Sequence, residues 1–373
     1  MNMRGLKALA MVELIGNSLI VKFEKKMTML STAHIDGVTK SDKVIISRVI
    51  DDKEMKDVES FKEKVLKGLG YTNDVPVMIT SVDLSTYKLS ENSYGGVLVT
   101  AGFSVPNCIY QEELYEAERK SNTINIISWI NKSLTMGGLL DLFRVVSETK
   151  CLFCSDALLR CKSRSSGTSS DGITVAANVS KTGYMWSGLA TLHGNNISRL
   201  IYETLKSLVD DESKDTWLKR MLGMDTKEIV KEALKFYEKA PVPHLSKKRI
   251  RMLLMKEIDR VLSDPNVWSF IIAARELDIR GQSGTFPLLN REEFDLDTKR
   301  IIADELLASA LSLYISGFKG LTATYWVDST KEKISTNLSK LPMFEDDIAS
   351  ALIGSSLSRV YDRLLSGKDV NKG

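Results

Sequence analysis

The stretch NTINIISWINKSLTMGGLLDLFRVVSETKCLFCSDALL, residues 122–159, contains a strand pattern followed directly by a helix pattern. Ile124–Ile130 is a short apolar run rich in β-branched residues, which is typical of a buried strand. From Leu139 to Leu159 the apolar positions recur at helical spacing. This succession of a buried strand and a long helix predicts a domain of mixed α and β structure.

The same alternation extends through the first half of the chain. Further β-branched runs predict strands at Val44–Ile50, Val75–Ile79, Val97–Thr100 and Ile173–Ala176. Helical spacing predicts helices at Lys53–Leu69 and Ile197–Leu208. The fold class predicted for this half is therefore α/β, in the sense of mixed α+β.

The polar run DDESKD, Asp210–Asp215, marks a change in the character of the sequence. After it the β-branched runs stop, and amphipathic patterns predict helices at Lys227–Lys239, Lys247–Leu262, Val267–Leu277, Thr298–Phe318 and Phe344–Leu365. We expect an all-α helical bundle here. The predicted domains are residues 1–209 and 216–373, and cleavage by protease is expected first at the run between them.

Composition excludes several classes of protein. The chain has 373 residues, enough for two cores, and its 43% hydrophobic and 27% charged residues are typical of a soluble globular protein. A net charge of +3 with scattered basic residues makes a nucleic-acid partner improbable. Glu13 interrupts the apolar stretch Leu6–Ile20, so we expect no membrane span, no targeting signal and a cytoplasmic location.

The four cysteines are few for this length and predict reduced thiols. Three of them, Cys151, Cys154 and Cys161, fall on or beside an apolar helix, so a structural role is preferred to zinc, iron–sulfur or redox chemistry. The three histidines, His34, His193 and His244, are isolated in sequence, and their spacing does not predict a histidine-built metal site.

Two predicted helices of the second half carry pairs of carboxylates. The helix at 298–318 contains Asp304 and Glu305 and then no charge until Lys319, so we expect it to be buried. A buried carboxylate needs a cation, a hydrogen-bond donor or a metal. The last predicted helix likewise carries a pair of adjacent carboxylates, Asp346 and Asp347. Small residues follow the pair and allow close helix packing.

A third acidic element, Asp328 with Lys331, lies between these helices. The five carboxylates supply the oxygen ligands that Mg²⁺ prefers, and Lys331 would balance the charge of a substrate phosphate. The alternative is that the acids lie on solvated faces near helix N-termini, where the helix dipole stabilises them.

The segments that carry these acids resemble those of a known enzyme family. IADELLASALSLYISGFKG (302–320), YWVDSTKEKI (325–334) and LPMFEDDIASALIG (341–354) resemble the phosphatidylglycerophosphatase A-like family. YEKAPVPH (237–244) and VLSDPNVWSFIIAA (261–274) look like its archaeal α-ribazole-phosphate phosphatase branch. The resemblance covers about residues 225–365 and implies Mg²⁺-dependent hydrolysis of α-ribazole 5′-phosphate, with Asp304, Glu305, Asp328, Asp346 and Asp347 as metal ligands.

Segments of the first half resemble the adenosylcobinamide amidohydrolases over about residues 15–207. They are NTINIISW (122–129), SETKCLFCSDALL (147–159), SGTSSDGITVA (166–176) and SGLATLHGNNISRLIYE (187–203), with MLSTAHIDGV (29–38) and GGVLVTAG (95–102) upstream. The resemblance implies hydrolysis of the amide that joins the aminopropanol arm to the corrin ring, giving adenosylcobyric acid.

Amide hydrolysis requires a nucleophile or an activated water, a base and donors for the oxyanion. The candidate bases are Glu148 and Asp171. Candidate nucleophiles or donors are the hydroxyls of the loop residues Thr168, Ser169 and Ser170. Asn125 and Lys150 are candidates for holding carbonyl oxygens. The alternative is that the serine-rich loop is only a turn and that the Glu-x-Lys pair is a solvated helix face.

Together the two halves resemble bifunctional archaeal enzymes of cobamide salvage. The resemblance implies a hydrolase that acts on a corrinoid and on α-ribazole phosphate, with Mg²⁺ as cofactor of the second half. A homo-oligomer of the chain is a further hypothesis. Two alternatives stay open. The second half could hydrolyse another substrate such as phosphatidylglycerophosphate, although the expected lack of apolar spans argues against a lipid phosphatase. The first half could be a corrinoid-binding module without catalysis.

Overall fold

The computed structural model of the protein describes residues 10–50, 57–109, 123–296 and 301–366. It divides into two compact units, which we call the amino-terminal unit (1–161 and 165–211) and the carboxy-terminal unit (162–164 and 212–373). The beginnings of the helices predicted from Lys53 and from Thr298, and residues 6–9 of the opening apolar stretch, lie outside the described residues. Independent folding of the predicted domains stays a prediction.

The amino-terminal unit is built on an eight-stranded mixed sheet of order β4-β3-β2-β10-β8-β6-β5, with β1 paired to β2, and β7 and β9 form a separate two-stranded sheet. The strands are β1 Ala10–Ile15, β2 Ser18–Ser31, β3 Val38–Arg48, β4 Val77–Thr80, β5 Lys88–Asn92, β6 Gly95–Ala101, β7 Pro106–Cys108, β8 Ile124–Leu134, β9 Ser165–Thr168 and β10 Gly172–Val179. The pairs β8–β10 and β3–β4 are parallel. Because β8 and β10 run in the same direction, their first residues lie at the same edge of the sheet.

Three helices cover this sheet: α1 Val58–Leu69, α2 Met136–Asp156 and α3 Leu192–Asp210. Helix α1 buries Leu66 against Ile20 and Ile45 of the sheet. Each such side chain removed from water contributes roughly 1.5–3 kcal/mol to stability. Helix α2 contacts β8, β9 and β10, so its last turns lie beside the loop that precedes β10. The α/β fold class predicted for this half is confirmed.

The regular elements that the structure describes in the carboxy-terminal unit are all helices, as predicted. Its helices are α4 Lys214–Leu222, α5 Thr226–Tyr237, α6 Lys247–Val261, α7 Pro265–Gln282, α8 Arg291–Asp295, α9 Ala303–Lys331 and α10 Met343–Leu365. Helices α9 and α10 pack side by side. Their approach is close, because a β-carbon on Gly354 of α10 would lie 2.6 Å from the backbone nitrogen of Thr324 in α9.

Helix α9 is broken in its middle. Ser316 leaves helical geometry, and Gly317 has a φ of +61°, a left-handed conformation that favours glycine. The chain then folds back, since the hydroxyls of Ser312 and Thr324 lie 2.7 Å apart across the break. The acids before the break and Asp328 after it are thereby brought to the same end of a helical hairpin.

One expectation about α9 requires correction. The helix is not buried along its length, because Leu306, Phe318 and Tyr325 are 62%, 73% and 74% exposed. It is also long and apolar enough, by length and composition, to cross a membrane, although no such span was expected. The break leaves two segments that are each shorter than the roughly 20 residues a spanning helix needs.

The expectation that all four cysteines are reduced is wrong for one pair. Cys108 and Cys161 form a disulfide, with Cα atoms 6.1 Å apart. They meet because β7 pairs with β9, which places Cys108 opposite Ser165, shortly after Cys161 in the chain. Cys151 and Cys154 lie on α2 outside that disulfide, the first exposed and the second buried.

Candidate functional site

Asp171 is the centre of a polar cluster in the amino-terminal unit. It ends the short loop between β9 and β10 and accepts hydrogen bonds from the backbone N–H groups of Ile124 and Thr168, each at 3.0 Å. The Thr168 hydroxyl and the Lys150 ammonium also donate to it. This aspartate therefore joins the first residue of β8, the end of β9 and the last turns of α2.

Gly167 makes this arrangement possible. A β-carbon at this position would lie 1.9 Å from Asp171 Oδ2 and 2.6 Å from Lys150 Nζ. No real side chain tolerates such approaches. The glycine of the predicted serine-rich loop is thus needed for the close contact between the loop and the ion pair.

A cavity of about 160 Å³ lies beside this cluster, and Asn125, Ser170 and Asp171 line it. The Ser170 hydroxyl lies 2.8 Å from the Thr123 hydroxyl, and the Asn125 side-chain amide donates to the Ile79 carbonyl at 3.1 Å. Among the lining residues, Asp171, Ser170, Thr123 and Asn125 thus present a carboxylate, two hydroxyls and an amide. Such a set can accept a proton from a hydroxyl or a water and donate hydrogen bonds to a carbonyl oxygen.

Glu148 and Ser169 are the predicted residues of this half that lie outside the cluster. Glu148 is exposed on α2, and its Oε1 accepts a hydrogen bond from Arg144 Nη1 at 2.6 Å. Ser169 is exposed as well and does not line the cavity. The structure therefore brings Asp171, Thr168, Ser170, Asn125 and Lys150 together and leaves Glu148 at the surface.

Sequence reasoning missed four polar residues that line the same cavity, Thr32, Lys62, Thr80 and Thr123. Thr123 lies directly before the predicted strand and could have been found as the polar neighbour of Asn125. Thr32 accepts a hydrogen bond from the backbone N–H of Ile173 at 3.0 Å. Lys62 reaches the cavity from α1. For Thr32 and Lys62 the sequence offered no distinguishing signal, because both belong to segments that come near only through the fold.

In the carboxy-terminal unit, carboxylate oxygens of Asp304, Glu305 and Asp347 lie within 4.8 Å of one another. The first two residues begin α9 and the third lies in the first turns of α10. Glu305, Asp328 and Asp347 line a cavity of about 350 Å³ whose other walls include Ala308, Phe318, Leu321 and Tyr325. The cavity thus has apolar walls and an acidic end.

Lys331 organises the remaining acids. Its ammonium lies 2.6 Å from Asp328 Oδ1, 2.5 Å from Asp346 Oδ2 and 3.5 Å from Asp347 Oδ1. The five predicted ligands thus form two overlapping groups that share Asp347. Lys331, predicted to bind phosphate, is instead engaged by three carboxylates.

The electrostatics of the acidic end favour a cation. Burial, together with the neighbouring Glu305, raises the pKa of Asp304 to about 8. Burial raises the pKa of Asp347 to about 7 despite the opposing effect of Lys331. Asp304 Oδ1 and Asp346 Oδ1 are buried and accept no hydrogen bond from the described residues. These unpaired oxygens fit a hard divalent cation, which would supply the missing positive charge.

A buried aspartate of α7, which the sequence analysis missed, holds the start of α10. Asp278 accepts hydrogen bonds from the backbone N–H groups of Phe344 and Glu345 at 3.0 and 2.8 Å. Arg275 Nη1 lies 3.1 Å from Glu345 Oε1 in the same buried cluster. These contacts fix the first turn of α10 and therefore the positions of Asp346 and Asp347. The helix predicted in this region ends at Leu277, so Asp278 lay just outside it and carried no local signal.

Comparison with known proteins gives one family and several relatives. The family model described as adenosylcobinamide amidohydrolase matches residues 8–216. An uncharacterized protein of Methanocaldococcus jannaschii is 28% identical over 117 residues, which are 31% of this chain and 86% of that protein.

Two solved structures are similar to part of the chain. The low temperature requirement C protein from Listeria monocytogenes is 22% identical with a TM-score of 0.34, and the similarity covers 41% of this chain and 94% of that one. Protein ypjQ from Bacillus subtilis is 20% identical with a TM-score of 0.35, over 42% of this chain and 97% of that one.

Proposed function

Because the chain belongs to the adenosylcobinamide amidohydrolase family, we propose that its amino-terminal unit hydrolyses the amide joining the aminopropanol arm to the corrin ring of adenosylcobinamide. The products are adenosylcobyric acid and the free amino alcohol. The observation that carries the proposal is the Asp171 cluster, which lies beside a cavity inside the matched region. A cavity of about 160 Å³ suits the amide arm, while the macrocycle stays outside.

The proposed chemistry uses Asp171 as the base. A water in the cavity, or the Ser170 hydroxyl, attacks the amide carbonyl carbon while Asp171 accepts its proton. The C–N bond then breaks, and the proton passes to the departing amine. If Ser170 is the nucleophile, a water then hydrolyses the ester on Ser170, which frees the carboxylic acid and restores the hydroxyl. Lys150 donates a hydrogen bond to the Asp171 carboxylate and so helps to hold it in place beside the cavity. Asn125 and Thr123 are the proposed donors to the developing oxyanion.

Turnover of adenosylcobinamide by the purified protein tests this function. Mass spectrometry should detect adenosylcobyric acid and the amino alcohol in equal amounts. The competing possibility is a corrinoid-binding module without catalysis. Binding of adenosylcobinamide in equilibrium dialysis, with neither product formed, would select that alternative.

The carboxy-terminal unit is proposed to be a phosphatase that depends on Mg²⁺ and acts on α-ribazole 5′-phosphate. The convergence of Asp304, Glu305 and Asp347 beside a cavity supports this second activity. When bound, Mg²⁺ would neutralise phosphate charge and lower the pKa of a coordinated water. The apolar walls, which include Phe318 and Tyr325, are suited to the base of a nucleoside.

The chain's own residues take distinct parts in this proposal. Asp304, Glu305 and Asp347 would hold the cation, and Asp346 Oδ1 is buried without a hydrogen bond from the described residues. Lys331 keeps Asp328 and Asp346 in place through direct ion pairs. An acid that is not engaged by the cation can accept a proton from the attacking water.

Release of phosphate from α-ribazole 5′-phosphate, with and without excess chelator, tests the second activity. Chelator should stop the reaction and added Mg²⁺ should restore it. Asp304→Asn and Asp347→Asn should each lower the rate by at least about 100-fold, whereas Asp259→Asn, which alters an exposed ion pair with Lys214, should not. Phosphatidylglycerophosphate serves as the competing substrate, and faster hydrolysis of it would assign the unit to lipids.

A further inference from the structure

Three arginines in the carboxy-terminal unit surround one buried carboxylate. Glu257 of α6 is fully buried, and its oxygens lie 2.6 Å from Arg260 Nη2, 2.6 Å from Arg359 Nε and 2.9 Å from Arg363 Nη1. One carboxylate balances one guanidinium. Arg260 also interacts electrostatically with the Asp264 carboxylate, so Arg359 and Arg363 share Glu257, and one positive charge between them has no ion-pair partner among the described residues.

The excess charge borders a cavity of about 520 Å³, which is lined by Ile315, Ser316, Gly317, Arg359, Asp362 and Arg363. The one acid in this wall, Asp362, lies 2.6 Å from Lys319 Nζ and is balanced by it. Arg359 and Arg363 keep about a third of their side-chain surface exposed. Since each guanidinium has five N–H donors, both retain donors that can point into the cavity.

The break in α9 forms the opposite wall. Arg359 Nη1 donates to the Ile315 carbonyl at 2.9 Å, which fixes the guanidinium beside the break. The second segment of α9 begins after Gly317, and the first N–H groups of a helix have no partner within it. Gly317 has open space where a side chain would be, so an anion can approach this backbone.

We propose that this cavity binds a phosphate group, held by Arg359, Arg363 and the backbone at the break of α9. Guanidinium groups match the geometry of phosphate oxygens and stay charged at all physiological pH values. The site is separate from the acidic end of the hairpin. Twelve residues of α10 separate Asp347 from Arg359, and at about 1.5 Å per residue this corresponds to about 18 Å. The inference goes beyond the proposed phosphatase and does not depend on it.

Calorimetric titration of the full chain in excess EDTA tests the site, because the acidic cluster without a cation repels anions and no turnover occurs. Inorganic phosphate and adenosine monophosphate are the two probes. Tighter binding of the nucleotide would identify the ligand as a phosphate ester, and equal or tighter binding of phosphate would identify the free anion. Either result supports the proposal.

Two variants decide whether the binding occurs in this cavity. Arg363→Gln leaves Glu257 paired with two arginines, and Ser316→Asp adds a negative charge to the wall without touching Glu257. Each should weaken binding at least tenfold, and Arg280→Gln, an exposed arginine outside the cavity, should leave binding unchanged. Unchanged affinity in both cavity variants, or no binding by the wild type below about 10 mM, would overturn the proposal.

Discussion

The Lys150 ammonium donates a hydrogen bond to Asp171 Oδ2, and only 12% and 9% of the two side chains are exposed. The pair links the end of α2 to the loop before β10, two segments that are 21 positions apart. Removing water strengthens such an interaction, and removing one partner leaves the other charge buried. The pair therefore fixes the geometry of the loop that carries Thr168 and Ser170.

Gly167→Ala should disrupt this pair. The new methyl group would lie 1.9 Å from Asp171 Oδ2. We expect a loss of about 1–3 kcal/mol in the free energy of unfolding, together with loss of amide hydrolysis. Urea denaturation provides the measurement. Gly68→Ala is the matched control, because nothing lies within 4 Å of its β-carbon position, and helix α1 should be unchanged or slightly more stable. Equal stability of the two variants would be evidence against the tight packing at Gly167.

Glu148→Gln should distinguish the two candidate bases. Glu148 is exposed and paired with Arg144 outside the cavity. The loss of one exposed ion pair costs about 0–1 kcal/mol, so the rate of amide hydrolysis should fall less than tenfold. Steady-state release of the amino alcohol measures this. Complete inactivation of a folded Glu148→Gln protein would move the base from Asp171 to the surface of α2.

Lys331→Met should destabilise the carboxy-terminal unit. The change removes the cation that contacts Asp328, Asp346 and Asp347. Uncompensated, largely buried carboxylates should cost about 3 kcal/mol in urea denaturation. Adding Asp346→Asn to the Lys331→Met variant should restore part of the stability, because one of the unpaired charges is removed. If the double variant were no more stable than Lys331→Met, the ion pair would not be the cause.

In chelator, the stability of the protein should fall as the pH rises. Folding raises the pKa of Asp304 to about 8 and of Asp347 to about 7, from an ordinary value of 3.8. The folded state therefore favours the protonated acids. Their contribution is complete below pH 3.8 and is lost as the pH rises through 7 and 8.

Melting temperatures between about pH 5 and pH 9 measure this effect. Asp304→Asn should flatten the profile and be the more stable protein at the alkaline end. Mg²⁺ requires ionised ligands, so it should raise the melting temperature more at high pH than at low pH. A wild-type profile that rises towards pH 9 in chelator would show that these acids are not buried together.

Much of the fold could be predicted from the sequence, because buried strands and amphipathic helices have distinct periods. Strand β2 was missed as a strand for a physical reason. The charged run Glu24–Lys26 is exposed where the pairing of β2 with β3 shifts register between Lys22 and Met27, so it interrupts the pattern of alternating burial. The predicted helix 298–318 ends close to the break at Ser316–Gly317, but the second segment of α9, which continues to Lys331, was missed.

The candidate sites were predictable where their residues are neighbours in the sequence and not where the fold brings them together. Asp171, Thr168 and Ser170 are neighbours in one loop, so a local pattern indicates them. Lys62 and Thr32 reach the cavity from other elements, and only the order of strands in the sheet brings them close. Asp278 is recognisable only once its partners at the start of α10 are known.

The measurement that tests the central claim most directly compares kcat/KM for adenosylcobinamide hydrolysis in the wild type and in Asp171→Asn. The account predicts a loss of at least about 100-fold in a variant with an unchanged circular dichroism spectrum. Asp210→Asn, which alters an exposed ion pair with Lys206, is the control and should keep the wild-type value. An Asp171→Asn protein that releases the amino alcohol at the wild-type rate would contradict the account.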